Sequence, residues 1–64
     1  MKVEIYSIDT NETISENTHQ SVADAEKFIA LIKEYGFEDT NGNRHKFSDA
    51  KVTPQGAVVY VEKE

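Results

Sequence analysis

Ser21-Val22-Ala23-Asp24-Ala25-Glu26-Lys27-Phe28-Ile29-Ala30-Leu31-Ile32-Lys33-Glu34-Tyr35-Gly36 is the stretch on which the fold turns. At about 100° per residue, Val22, Ala25, Phe28, Ile29, Ile32 and Tyr35 share an arc of about 140°, and Glu26, Lys27, Lys33 and Glu34 lie outside it. Ser21 offers an N-cap oxygen, and Gly36 stands where a left-handed C-cap ends a helix. The pattern predicts an amphipathic helix over residues 22–35 that lays one face on something flat.

The flat surface is expected from the flanking segments. Downstream, Phe37-Glu38-Asp39-Thr40 and Asn43-Arg44-His45-Lys46-Phe47 flank Asn41-Gly42, a strong hairpin signal. Thr53-Pro54-Gln55-Gly56 predicts a type I turn with a Gly bulge, joining Ala50-Lys51-Val52 to Ala57-Val58-Val59-Tyr60-Val61. That last run is apolar on both alternations, as a central strand would be. Phe47 and Val52 differ in strand phase, which predicts a bulge or tight turn at Ser48-Asp49. Upstream, Val3-Glu4-Ile5-Tyr6-Ser7-Ile8 reads as a strand covered on both faces. Asp9-Thr10-Asn11-Glu12 has turn chemistry, and Thr13-Ile14-Ser15-Glu16 reads as a short return strand on a solvated edge.

The expected order is β-β-α-β-β-β. It predicts a single small α+β domain over residues 1–64, two layers deep, with one helix on one face of a mostly antiparallel sheet. A β-grasp-like mixed sheet, with first and last strands parallel at the centre, is the alternative. Phe47-Ser48-Asp49 followed by Val52 and Val58 is similar to the closing segment of the ubiquitin family, which has that arrangement. The likeness is confined to this segment and lacks the family's Gly-Gly tail, since Glu62-Lys63-Glu64 follows instead.

A chain of 64 residues holds one core at most, and one this short buries only about 60% of the surface its unfolded form exposes. With no cysteine, disulfides and thiolate metal sites are excluded, which leaves homodimerisation as a route to further burial. No apolar run approaches the roughly 20 residues of a membrane span. Glu4 interrupts what would be a signal peptide's apolar stretch, so a cytoplasmic location is expected. Beginning at Met1, the sequence reads as a freestanding small gene product, and a phage or mobile-element origin suits its size.

Seven basic and twelve acidic residues give a net charge of −5. Residues 1–40 carry −6 and residues 41–64 carry +1. Nucleic acids are bound through basic footprints, so direct nucleic-acid binding is not expected of this acidic chain.

Catalysis is not expected either. Nucleophiles are limited to hydroxyls beside His19 or His45, and both histidines read as solvated. No pair of carboxylates is marked as buried, and so thin a domain has little room for a water-excluding pocket. The histidines stand apart and no calcium-loop pattern occurs, so no metal site is expected. Gly36, Gly42 and Gly56 are each explained by a cap or turn, which leaves no phosphate-cradling loop and no expected cofactor.

The remaining class is a small non-enzymatic protein-binding module, an accessory or inhibitor protein that docks onto a larger protein. Phe28, Tyr35 and Tyr60 read as core, whereas Tyr6 and Phe37 are the aromatics available to anchor a partner. Arg44 and Lys46 form a basic patch suited to an acidic partner. Asp9, Glu12 and Glu16 gather charge on the first hairpin. These three acids carry the second reading, a nucleic-acid mimic that inhibits a DNA-binding protein. A structural homodimer is the third.

Overall fold

The computed structural model describes all residues, Met1–Glu64. Its elements are β1 (Lys2–Ser7), β2 (Glu12–Thr18), α1 (Val22–Tyr35), β3 (Phe37–Glu38), β4 (Arg44–Thr53) and β5 (Gly56–Lys63). The strands form one sheet in the order β2-β1-β5-β4-β3. β1 and β5 pair in parallel at its centre, from Lys2 opposite Gly56 to Ser7 opposite Val61. The β1–β2, β4–β5 and β3–β4 pairs are antiparallel. The chain is thus an α+β domain with one helix on a mixed five-stranded sheet.

Local chemistry accounts for the boundaries. Ser21 Oγ accepts the Asp24 N–H at 3.1 Å, satisfying a donor that the first helical turn leaves free. At the other end the Gly36 N–H donates to Ile32 O at 2.8 Å. Gly36 is not in the left-handed helical conformation expected of it. Its φ of 81° and ψ of −170° lie in a region essentially reserved for glycine. Asn11 turns the first hairpin at φ 58°. The Asn41-Gly42 turn closes with a 3.0 Å bond from the Gly42 N–H to Asp39 O.

The expected Gly bulge at Gly56 is not formed, because Gly56 has no positive φ. Its missing side chain serves the parallel pairing instead. A Cβ there would lie 2.6 Å from Lys2 O on the neighbouring strand. Thr53 Oγ1 ties this turn by accepting the Gly56 N–H and donating to Gly56 O. The Ser48-Asp49 irregularity does occur, as a register shift between Phe47 and Asp49 within one long strand.

The core lies between α1 and one sheet face. Val3 and Ile5 of β1, Ala57, Val59 and Val61 of β5, and Ala25 and Ile32 of α1 form a single buried cluster. Phe28, Ile29, Phe37 and Phe47 pack around it. Each large side chain buried this way contributes about 1.5–3 kcal/mol. The ends of the expected helix face escape burial, with Val22 56% and Tyr35 64% exposed. Periodicity sets the direction of a helix's apolar face, but the sheet beneath covers only its middle turns. Phe37 reverses its expected role and packs on the core. The two histidines also depart from expectation. His45 is buried and His19 half-buried, stacked 5.0 Å from the Phe28 ring.

Candidate functional site

Strand alternation divides β1 and β5 cleanly. Val3, Ile5, Ser7, Ala57, Val59 and Val61 point to the helix side and are buried. Glu4, Tyr6, Val58, Tyr60 and Glu62 take the opposite alternation and are half-buried. α1 is the only helix, and it covers one face, so the expectation that β1 is covered on both sides does not hold.

At the centre of the open face Tyr6 and Tyr60 sit opposite each other on the parallel pair. Their rings meet edge to face, 5.6 Å apart at 74°, a favoured aromatic geometry. The Tyr6 hydroxyl reaches Asn11 Oδ1 at 3.5 Å across the first hairpin. Val58, two residues before Tyr60 on the same face of β5, extends this apolar centre. Around it lie charges of both signs. Lys2 Nζ is 3.5 Å from Glu4 and 3.4 Å from Glu16. Lys46 Nζ is 3.3 Å from Glu62. Lys51, opposite Val58, has no carboxylate partner. The hydrogen bond to Glu16, followed by that carboxylate's charge and then Glu4, raises the Lys2 pKa above its ordinary value. A groove of about 380 Å³ runs between Lys2, Glu4, Lys51, Thr53, Val58 and Tyr60.

The structure brings three of the seven sequence-predicted residues to this face: Tyr6, Glu16 and Lys46. The others are dispersed. Phe37 packs on the core. Arg44 donates to the Tyr35 carbonyl at the end of α1 and pairs with Glu64, so it caps a helix. Lys46 is held by Glu62, and the two cations do not form a free basic patch.

Glu12 is separated from Glu16 by a register shift between Ile5 and Tyr6. Ser15 lies opposite Ile5 and Thr13 opposite Tyr6, so Ile14 is the extra residue. A bulge inverts the alternation beyond it. Glu16 therefore shares the open face with Glu4, whereas Glu12 lies opposite Ser7 on the helix side. Asp9 accepts the Lys63 N–H at 2.6 Å, pinning the first turn to the end of β5.

Val58 and Tyr60 are the site residues that sequence reasoning missed. Glu62 was the available signal: in a strand apolar on both alternations, it shares their face and marks that face as solvated.

No protein-family model, curated protein or solved structure matches this chain, so the likeness of residues 47–58 to ubiquitin assigns no family. No three His, Asp or Glu side chains converge in a way that could hold a metal ion. No helix is long and apolar enough to cross a membrane.

A separate polar cluster anchors the second hairpin. Asp39 Oδ1 accepts the N–H groups of Asn41 and Asn43, both at 2.9 Å, and Oδ2 lies 3.1 Å from His45 Nε2. The His45 hydrogen bond, then that from Asn43, holds the Asp39 carboxyl below its ordinary value of 3.8. A lowered folded pKa means that the unfolded chain binds the proton more readily. The stabilisation is therefore complete above pH 3.8 and lost as pH falls through that value and below it. Asp39→Asn removes this acid-sensitive part. Urea midpoints of protein and variant should differ at neutral pH and converge at pH well under 3.8. A gap independent of pH would show that the carboxylate's charge contributes nothing.

Proposed function

We propose that this chain is a non-enzymatic protein-binding module that docks onto a larger protein through the open face of its sheet. One observation carries the reading. Tyr6, Tyr60 and Val58 form a half-exposed aromatic and apolar centre inside a ring of charged side chains, with no helix over them. Protein interfaces are built this way, with aromatic anchors at the middle and a polar rim that excludes water and sets orientation. The edge-to-face contact between the two rings already restricts their rotamers, so less side-chain entropy is lost on binding.

The acids that a nucleic-acid mimic would present are divided. Glu16 is neutralised by Lys2, and the bulge turns Glu12 to the other face. This arrangement weighs toward docking by shape and anchors.

The test compares capture of partners from native lysate by the protein, by Tyr6→Ala/Tyr60→Ala and by Leu31→Ala. Leu31 is 55% exposed on the helix. Loss of two anchors should weaken the captured complex on the order of 30-fold or more, with weak dependence on salt. Leu31→Ala should bind as the protein does. Equal capture by the double variant contradicts the reading. A dimer in solution that the double variant dissolves would assign the face to a second copy of the chain.

A further inference from the structure

β4 is the longest strand of the sheet, and most of its outer edge has no neighbour. β3 pairs with it only at Arg44 and His45, so from Phe47 to Thr53 its one strand partner is β5. Ser48, Asp49, Lys51, Val52 and Thr53 are exposed along this stretch. An open edge of this length is a template for a further strand. Within it the Ala50 N–H donates to the neighbouring Asp49 carboxylate at 2.8 Å. Two apolar side chains lie beside the edge on the helix side. Val52 stands opposite the buried Ala57 yet is 58% exposed. Lys33 Nζ lies 6.0 Å from the Phe47 ring centre, which turns that side of α1 toward β4. Val22, 56% exposed, is only about 20° from Lys33 around the helix axis.

The charges on the edge identify which strand fits it. Asp49 and Lys51 stand opposite Tyr60 and Val58, so they share the open face, and neither has an ion-pair partner within the chain. They lie symmetrically about Ala50. When two β4 strands run antiparallel with Ala50 opposite Ala50, each Asp49 falls opposite the Lys51 of the other copy. Opposite charges in directly facing positions stabilise a strand pair. The Ala50 N–H then finds the Ala50 carbonyl of the other copy, which releases the Asp49 carboxylate to Lys51. The other edge of the sheet lacks this self-complementarity. β2 carries Glu12 and Glu16 and no basic residue, so two β2 strands paired about Ile14 would set acid against acid. Toward a strand with no acid at the facing position, Lys51 is the kind of edge charge that opposes addition.

We infer that the open edge of β4 receives β4 of a second copy, in antiparallel register about Ala50, joining two sheets across a two-fold axis. Such an interface is self-complementary and closes at two copies. It brings cover to Val52 and Val22, the apolar surface that a domain this small leaves unburied. The inference does not rest on the docking reading, since Tyr6 and Tyr60 lie inward of β4 on the face that the pairing leaves open.

Sedimentation equilibrium of the full chain, from micromolar to millimolar concentration, tests it alongside Lys51→Asp, Asp49→Lys and the exchange Asp49→Lys/Lys51→Asp. A monomer–dimer equilibrium is expected, and on dilution the amides of Ala50 and Val52 should shift while those of β2 stay fixed. Each single reversal sets like charges opposite each other twice, and should raise the dissociation constant about 10-fold or more. The exchange restores both pairs and should return the constant toward that of the protein. Neither loss of folding nor loss of the Asp49–Ala50 hydrogen bond can produce that rescue, because the exchange lacks the bond as well. Tyr6→Ala/Tyr60→Ala should dimerise as the protein does. A monomer at every concentration, an exchange no better than the single reversals, or a dimer lost with the two tyrosines would each overturn the inference. Assemblies larger than a dimer would overturn it too, since they require β4 to meet a different surface.

Discussion

Ile5→Ala and Ile32→Ala are each expected to cost about 2–5 kcal/mol, the range for deleting a large buried aliphatic side chain and leaving a cavity. Ile5 is fully enclosed on β1 between β2 and β5, and Ile32 is the helix's main insertion into the same cluster, 3% exposed. A domain of this length has a total stability of roughly 3–10 kcal/mol, so either change removes much of it. Tyr35→Ala and Lys27→Ala should cost under about 0.5 kcal/mol, as surface changes do. Urea unfolding of the four variants checks the series. A large loss at Tyr35 with little at Ile32 would mean that the helix is rotated on the sheet.

Gly36→Ala is the second large effect. Its backbone conformation alone costs about 1–3 kcal/mol for a residue with a Cβ. That Cβ would also lie 2.6 Å from His45 O and 3.0 Å from the Arg44 guanidinium. The side chain of Arg44 can move, but the His45 carbonyl belongs to β4 and cannot give way without moving the strand. Gly42→Ala is the control, because Gly42 shares a positive φ of 82° while nothing lies within 4 Å of its Cβ position. Gly36→Ala should therefore lower the thermal midpoint well beyond Gly42→Ala. Equal shifts would mean that the close approach of α1 to β4 is not maintained in solution.

Turn residues made much of this architecture legible. Asn41-Gly42, Pro54-Gln55 and Gly36 fall at the boundaries that their backbone chemistry implies. The run from Ala57 to Val61 forms the middle strand, as its apolar residues on both alternations indicate. The parallel pairing of β1 with β5 was legible only as one of two arrangements, because the same element order serves both. Ile14 shows a harder limit. A bulge inserts one residue with no compositional mark, yet it moves Glu12 to the face opposite Glu16. His45 was hidden for a similar reason. Alternation turns it away from Arg44 and Lys46 and toward the side of Phe47, but a histidine beside a turn carries no mark of burial, and only the folded hairpin brings Asp39 against its ring. The candidate site was half legible through Tyr6, whereas Tyr60 passed for core because both alternations of its strand are apolar.

The most direct test of the docking account is cross-saturation NMR on the isotope-labelled chain bound to its captured partner. Saturation transferred from the partner should fall on Tyr6, Lys51, Val58 and Tyr60, the centre and free cation of the open face. Transfer centred instead on Val22, Leu31 and Tyr35, the exposed apolar positions of the helix, would contradict it.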